Sequence, residues 1–183
     1  GEIYNGADDN ASGTAAVIEL AKYLKEAKLK NNNYLFICFS GEEEGLFGSK
    51  YFTNNPPIPL DQVNYMINFD MVGRLNDSSK LLTIGGFGTS PFWGKILPEK
   101  SKVITVKLDS SGIGPSDHTS FYLKNIPVLF FFTGSHKDYH RPTDDADKIN
   151  FIGELRVIQY VENILKETNS VEKIAFSKTR DTQ

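Results

Sequence analysis

Tyr34-Leu35-Phe36-Ile37-Cys38-Phe39 is an unbroken apolar run that passes through Ser40-Gly41 into three consecutive acids, Glu42-Glu43-Glu44. Six apolar residues without alternation read as a strand covered on both faces, the pattern of a sheet with helices on either side. Upstream of this run the period changes. Val17, Leu20, Ala21 and Leu24 recur at helical spacing with Lys22, Lys25 and Glu26 on the opposite side, which predicts an amphipathic helix from just after Asn10 to about Lys28. Downstream, a helix is expected over residues 45–52, opened by the acids and stopped by Asn54-Asn55-Pro56-Pro57. Strands over 63–69, 81–84, 103–108 and 126–132 alternate with helices near 91–97 and 119–123. A last helix over 151–167 repeats Leu155, Ile158, Val161 and Leu165 on one side. Alternation of this kind predicts an α/β fold. Residues 169–183 are polar and are expected to fray.

The 183 residues fit one domain, and 39% apolar residues with 12% aromatics are enough to fill a core. A net charge of −3 with both signs spread along the chain leaves no basic stripe for nucleic acid and no polybasic helix for a membrane surface. No apolar run approaches the ~20 residues of a membrane span, and no leader-like segment opens the sequence. The single Cys38 excludes an internal disulfide, and its place in the apolar run predicts a buried structural thiol.

Taken one at a time, the polar motifs have ordinary explanations. Asp8-Asp9-Asn10 before the first helix reads as an N-cap, and Glu42-Glu43-Glu44 as an acidic run placed favourably against a helix dipole. Asp70, in Asn68-Phe69-Asp70-Met71, resists such a reading: it ends an apolar strand with no neighbouring cation, where open α/β sheets bind ligands. His140 follows another apolar strand after a short loop. Together these segments deliver several carboxylates and an imidazole to one sheet edge, where the acids repel one another unless a cation holds them. Carboxylate and imidazole suit Zn²⁺, Mn²⁺ or Co²⁺, and a carboxylate can bridge two ions. Of two consecutive glutamates, one can ligate while the other takes a proton from water.

The joint pattern resembles the zinc aminopeptidases that include bacterial leucyl aminopeptidase and aminopeptidase S, with glutamate carboxypeptidase II and glutaminyl cyclase as relatives. Four segments carry the resemblance in order: Gly6-Ala7-Asp8-Asp9-Asn10-Ala11-Ser12-Gly13, Gly41-Glu42-Glu43-Glu44-Gly45-Leu46-Phe47-Gly48-Ser49, Asn68-Phe69-Asp70-Met71 and Tyr139-His140. Ser116-Asp117-His118 with Phe121 is a weaker fifth.

The resemblance implies a three-layer α/β/α fold with a central mixed, mostly parallel sheet, over a catalytic domain spanning residues 1–168. It implies two Zn²⁺ ions in the complete domain, with Asp9 bridging them, Glu43 and His140 completing one site, and Asp70 belonging to the other. Glu42 is then the general base, a metal-bound hydroxide attacks the peptide, and Tyr139 hydrogen-bonds the oxyanion. The resemblance also implies a cis peptide between Asp9 and Asn10, peptide substrates with a free N-terminus, and a secreted or periplasmic location whose signal peptide lies outside this chain. The family's first metal ligand is a histidine upstream of the bridging aspartate. None precedes Asp9 here, since the three histidines are His118, His136 and His140.

An N-terminally truncated domain lacking early strands is therefore expected, with His118 and His136 supporting the site or lying at the surface. Phe87, Phe92, Trp93 and the loop from Asp109 to Ser116 are candidate pocket walls. Two alternatives remain: a glutaminyl cyclase-like acyltransferase with a single zinc, and a peptidase-like binding domain without catalysis.

Overall fold

The computed structural model describes residues 1–97 and 103–180. Four strands form one sheet: β1 (Met66–Phe69), β2 (Leu81–Gly85), β3 (Thr105–Leu108) and β4 (Val128–Phe132), in the order β1-β4-β2-β3. β1 pairs parallel with β4 and β2 parallel with β3, while β2 and β4 run antiparallel, so two parallel pairs are joined back to back. Among the described residues five helices surround the sheet: α1 (Gly13–Glu26), α2 (Phe47–Asn54), the short α3 (Trp93–Ile96), α4 (His118–Tyr122) and α5 (Phe151–Thr168).

Alternation along the strands sorts side chains into two cores. Phe69, Leu82, Ile84, Leu129 and Phe131 face α1 and α5, where they meet Ala16, Leu20, Val157, Val161 and Ile164. Val128 and Met66 face the other way, against Phe121 and Tyr122 of α4 and Phe52 of α2. The result is the expected three-layer α/β/α arrangement with a mixed sheet. Each fully buried Leu, Ile or Phe in these layers stabilises the fold by roughly 1.5–3 kcal/mol of transfer free energy. Trp93 is also wholly buried and donates its indole N–H to Thr89 Oγ1 at 3.2 Å. It belongs to the core with Phe87 and Phe92, so these three aromatics are not pocket walls.

Three expectations are corrected. Residues 34–39 form no strand: Leu35 is 59% and Phe36 42% exposed, and Cys38 is exposed rather than buried. A ladder needs a neighbour, and a cleft of about 230 Å³ separates Ile37, Cys38 and Phe39 from the free edge of β1. Glu42, Glu43 and Glu44 occupy a loop and turn before α2 instead of opening the helix, which starts only after Leu46 turns the chain at φ 62°. The polar segment after α5 does not fray over its described part. Ile174 and Thr179 are buried, and Ser177 donates its amide to the Thr89 carbonyl at 2.8 Å. Residues 181–183 of that segment lie outside the described residues.

One buried charge stands out in α5. Glu154, 6% exposed in the first turn, has its carboxyl pushed up to about 7 by burial and by nearby Asp8. Because the folded value lies above the ordinary 4.5, this carboxyl withdraws stability as pH rises through that interval. Asp9 and Glu42, raised likewise, act in the same direction. In metal-free protein, urea midpoints are therefore expected to fall between pH 5 and pH 8, with Glu154 contributing on the order of 3 kcal/mol. Glu154→Gln should flatten that dependence, and an unchanged pH profile in the variant would refute the assignment.

Candidate metal centre

The position of Asp9 originates in an interrupted helix start. Residues Ala7–Ser12 coil as a wide turn, but Asp9 and Asn10 leave helical dihedrals and the peptide between them is cis. Asn10 anchors this kink to the sheet edge: its Nδ2 donates to the Phe69 carbonyl at 2.9 Å, while its Oδ1 accepts the amides of Gly13 at 3.1 Å and Met71 at 3.3 Å. A Cβ at Gly13 would collide with Asn10 Oδ1 and the Phe69 carbonyl, so the start of α1 can sit this close to β1 only with glycine there.

Asp144 ties the same loop to the segment that carries His140. Its Oδ2 accepts the amides of Asp8 and Asp9 at 2.9 and 3.0 Å, and its Oδ1 pairs with Arg74 Nη2 at 3.0 Å. Arg74 also reaches Asp138 at 3.3 Å, and Asp138 takes Lys148 and Thr143. Burial alone raises the Asp144 carboxyl, yet the Asp9 amide, Arg74 and the Asp8 amide overcome this and hold it below the ordinary range. The Lys148 and Thr143 hydrogen bonds hold Asp138 well below that range. Asp8, fully buried, accepts Gly73 N–H at 2.7 Å and Ser12 Oγ at 3.0 Å, and its other oxygen lies 3.0 Å from His136 Nε2.

On this frame the donor atoms of Asp9, Glu43 and His140 come within 4.8 Å of one another. His140 Nε2 lies 3.0 Å from Asp9 Oδ2 and 2.8 Å from Glu43 Oε1. Asp70, one residue past β1, stands beside this trio rather than in it: it lines the same cavity and raises Asp9 electrostatically. Burial, then Asp70 and Glu43, push the Asp9 carboxyl up to about 6. Burial, then Asp70, Glu43 and Asp117, push Glu42 up to about 7. Two carboxylates converging on one imidazole nitrogen, with further acids behind them, form a donor set that fits a divalent cation such as Zn²⁺.

Beside Asp9 and Glu43 opens a cavity of about 670 Å³. Register places Thr83 beside Phe132 and Gly85 beside Phe130, and the four residues line this cavity together. Tyr139, 41% exposed, lines it too and stacks on the His140 ring at 3.8 Å. His118 forms part of the wall, buried and stacked on Phe130 at 4.5 Å. Burial lowers its pKa to about 4, so it is neutral at ordinary pH. The loop after β3 contributes Asp109, Ser111, Ile113, Gly114 and Pro115 to the rim, as expected, while Ser116 faces the cleft beside β1. Sequence reasoning did not single out Arg74 or Asp144, whose only sequence signal is an Asp four residues past His140.

Fold and site define an open α/β/α domain with a carboxylate and imidazole cluster, able to hold a metal ion, near the carboxyl ends of β1 and β4. The chain belongs to peptidase family M28, which matches residues 1–164. It is 34% identical over 149 residues to leupeptin-inactivating enzyme 1 of Streptomyces exfoliatus, covering 78% of this chain and 32% of that protein. Aminopeptidase YwaD of Bacillus subtilis is 30% identical over 156 residues, covering 79% of this chain and 34% of its own length. A zinc aminopeptidase of Bacillus subtilis superimposes with a TM-score of 0.76 at 25% identity, over 97% of this chain and 44% of that one. The chain thus spans about a third of the length of the curated relatives it matches.

Asp144→Ala strands two amides and Arg74, and loss of one partner in a buried ion pair costs about 3–5 kcal/mol. Weaker Zn²⁺ binding, by roughly ten- to a hundredfold in calorimetric titration, should accompany the drop in thermal stability. Asp144→Asn, which keeps one acceptor, is expected to lose less of both.

Proposed function

We propose that this chain is the catalytic part of an aminopeptidase that removes N-terminal residues from peptides. The observation that carries the reading is the convergence of Asp9, Glu43 and His140 at the mouth of a cavity floored by Phe130 and Phe132, with Glu42 beside them. Asp9, Glu43 and His140 would hold one ion, and Asp70, acting on Asp9 from the end of β1, would with Asp9 hold a second. The bound ions supply Lewis acidity toward the peptide carbonyl and lower the pKa of water.

Glu42 performs the proton transfer in this reading. It lines the cavity next to the ligand Glu43, takes a proton from the attacking water, and returns it to the leaving amine. Tyr139, at the cavity wall against His140, offers a phenol O–H to the oxygen that gains charge. The aromatic floor accepts the side chain of the first residue, and a peptide with a free N-terminus is the substrate class. Among the described residues no helix is long and apolar enough to cross a membrane. The family resemblance supports an exported enzyme.

A second reading has one observation in its favour: the three donor atoms that converge are a one-ion set, with Asp70 outside it. Such a set suits a cyclising acyltransferase, which would release ammonia from an N-terminal glutamine instead of a free amino acid.

Glu42→Gln in the zinc-loaded, full-length protein should retain its metal and lose activity on aminoacyl anilides by about 10²–10⁴-fold. Near-normal turnover in that variant rejects Glu42 as the base, and ammonia release from glutaminyl peptides without amino-acid release selects the second reading.

A further inference from the structure

The segment that follows α5 crosses the molecule to reach the loop that rims the cavity. Ile174 is buried, with its amide donating to Asn64 Oδ1 at 2.8 Å, and the Phe176 ring lies 5.6 Å from that of Tyr122. Ser177 N–H donates to the Thr89 carbonyl at 2.8 Å. At the end of this path Thr179 makes two contacts with Tyr122: its amide donates to the Tyr122 hydroxyl at 3.0 Å, and its own hydroxyl lies 2.9 Å from the same oxygen. Thr179 Oγ1 in turn accepts the amide of Gly112 at 3.1 Å. All three residues are buried.

Gly112 sits in the middle of the rim, between Ser111 and Ile113, which line the cavity. A Cβ there would run into the Tyr122 ring, so the loop is pressed directly onto the clamp. Its near end is fixed by backbone bonds, Gly86 N–H to the Ser111 carbonyl at 2.8 Å and Phe87 N–H to the Asp109 carbonyl at 2.9 Å. Its far end is fixed by Thr119, whose hydroxyl accepts the Gly114 amide at 2.8 Å. The centre is held from the segment after α5, where Thr179 Oγ1 is the acceptor of the Gly112 amide.

We propose that residues 174–180 are a strap that sets the width of the side-chain subsite: Thr179 and Tyr122 are positioning residues that hold the Gly112 centre of the rim over the Phe130–Phe132 floor. This rests on the aminopeptidase reading, in which that floor receives the first side chain of the peptide. Neither residue touches the metal centre, so loosening the rim affects how a large first residue is held and leaves the chemistry alone. A small first residue, which does not reach the rim, is indifferent to the strap.

The test uses the full-length, zinc-loaded protein with alanyl, leucyl and phenylalanyl anilides. Thr179→Val keeps the shape and the amide hydrogen bond to Tyr122, and removes both the acceptor for Gly112 and the hydroxyl contact with Tyr122. Tyr122→Phe removes the clamp oxygen from the other side and serves if the first variant fails to fold. Expected is a KM raised about fivefold to tenfold for the leucyl and phenylalanyl substrates, the effect of one lost hydrogen bond. The alanyl KM, all kcat values to within about twofold, and the zinc content should stay unchanged. Amide exchange at Gly112 should quicken, and Thr179→Ser should restore the wild-type pattern. Unchanged KM values, or an equal rise for all three substrates, overturn the strap while the aminopeptidase reading stands. A wild-type protein that turns over none of the three overturns that reading and the strap with it.

Discussion

Mutual repulsion among carboxylates is the constraint around which this molecule is organised. Asp9, Glu42, Glu43, Asp70 and Asp117 line one cleft, and Asp8 lies fully buried next to Asp9. Two like charges about 4 Å apart near a protein surface repel by about 4 kcal/mol, and burial adds to this. Burial first, and then repulsion from neighbouring carboxylates, raises Asp9, Glu42 and Asp70, while burial raises Asp117. Such an arrangement persists only when the backbone is held independently of the charges it carries. Asn10 pins the Asp9 kink to the end of β1, and Asp144 pins it to the loop bearing His140, with Arg74 neutralising Asp144 from behind. In the scaffold Asp138 and Asp144 are held ionised by their partners, whereas the site sets His140 against several crowded carboxylates. This asymmetry leaves a cation as the complement.

The candidate ligand motifs were legible in the sequence because each is local. An acid or a histidine after an apolar run marks Glu43, Asp70 and His140, and Asp9 stood out through the segment Gly6 to Gly13 that carries the family resemblance. The supporting frame was not legible, since Arg74 and Asp144 meet across 70 residues and neither neighbourhood advertises the other. Glu154 was hidden for a related reason: an acid in the first turn of a helix looks like a favourable dipole partner, and only the fold reveals that it faces Asp8. The packed segment after α5 escaped because Ile174 and Phe176 are isolated apolar residues in a polar stretch, too few to show a period. Residues 34–39 are the converse case. Their composition reads as a buried strand, but a ladder is a property of two segments, and the neighbouring edge lies across a cleft.

The sheet's mixed direction explains how a core and a substrate-sized cavity coexist along one strand. β4 is parallel to β1 and antiparallel to β2, so its carboxyl end lies beside the end of β1 that delivers Asp70, while its flank opposes Thr83 and Gly85. Odd positions of β4, Leu129 and Phe131, fill the core beneath α5. Even positions, Phe130 and Phe132, point the other way, and α4 covers only the first of them, through the His118 ring. Gly85, opposite Phe130, supplies no side chain to close the space. Apolar surface left uncovered costs stability unless a ligand uses it, and here it adjoins Asp9, Glu42, Glu43 and Asp70. Placing an apolar floor beside a hydrophilic centre is what a site needs to hold a side chain and act on the adjoining peptide bond. β4 supplies the floor through Phe130 and Phe132, the chain beyond it supplies His140, and the loops before α1 and α2 bring Asp9 and Glu43 to meet it.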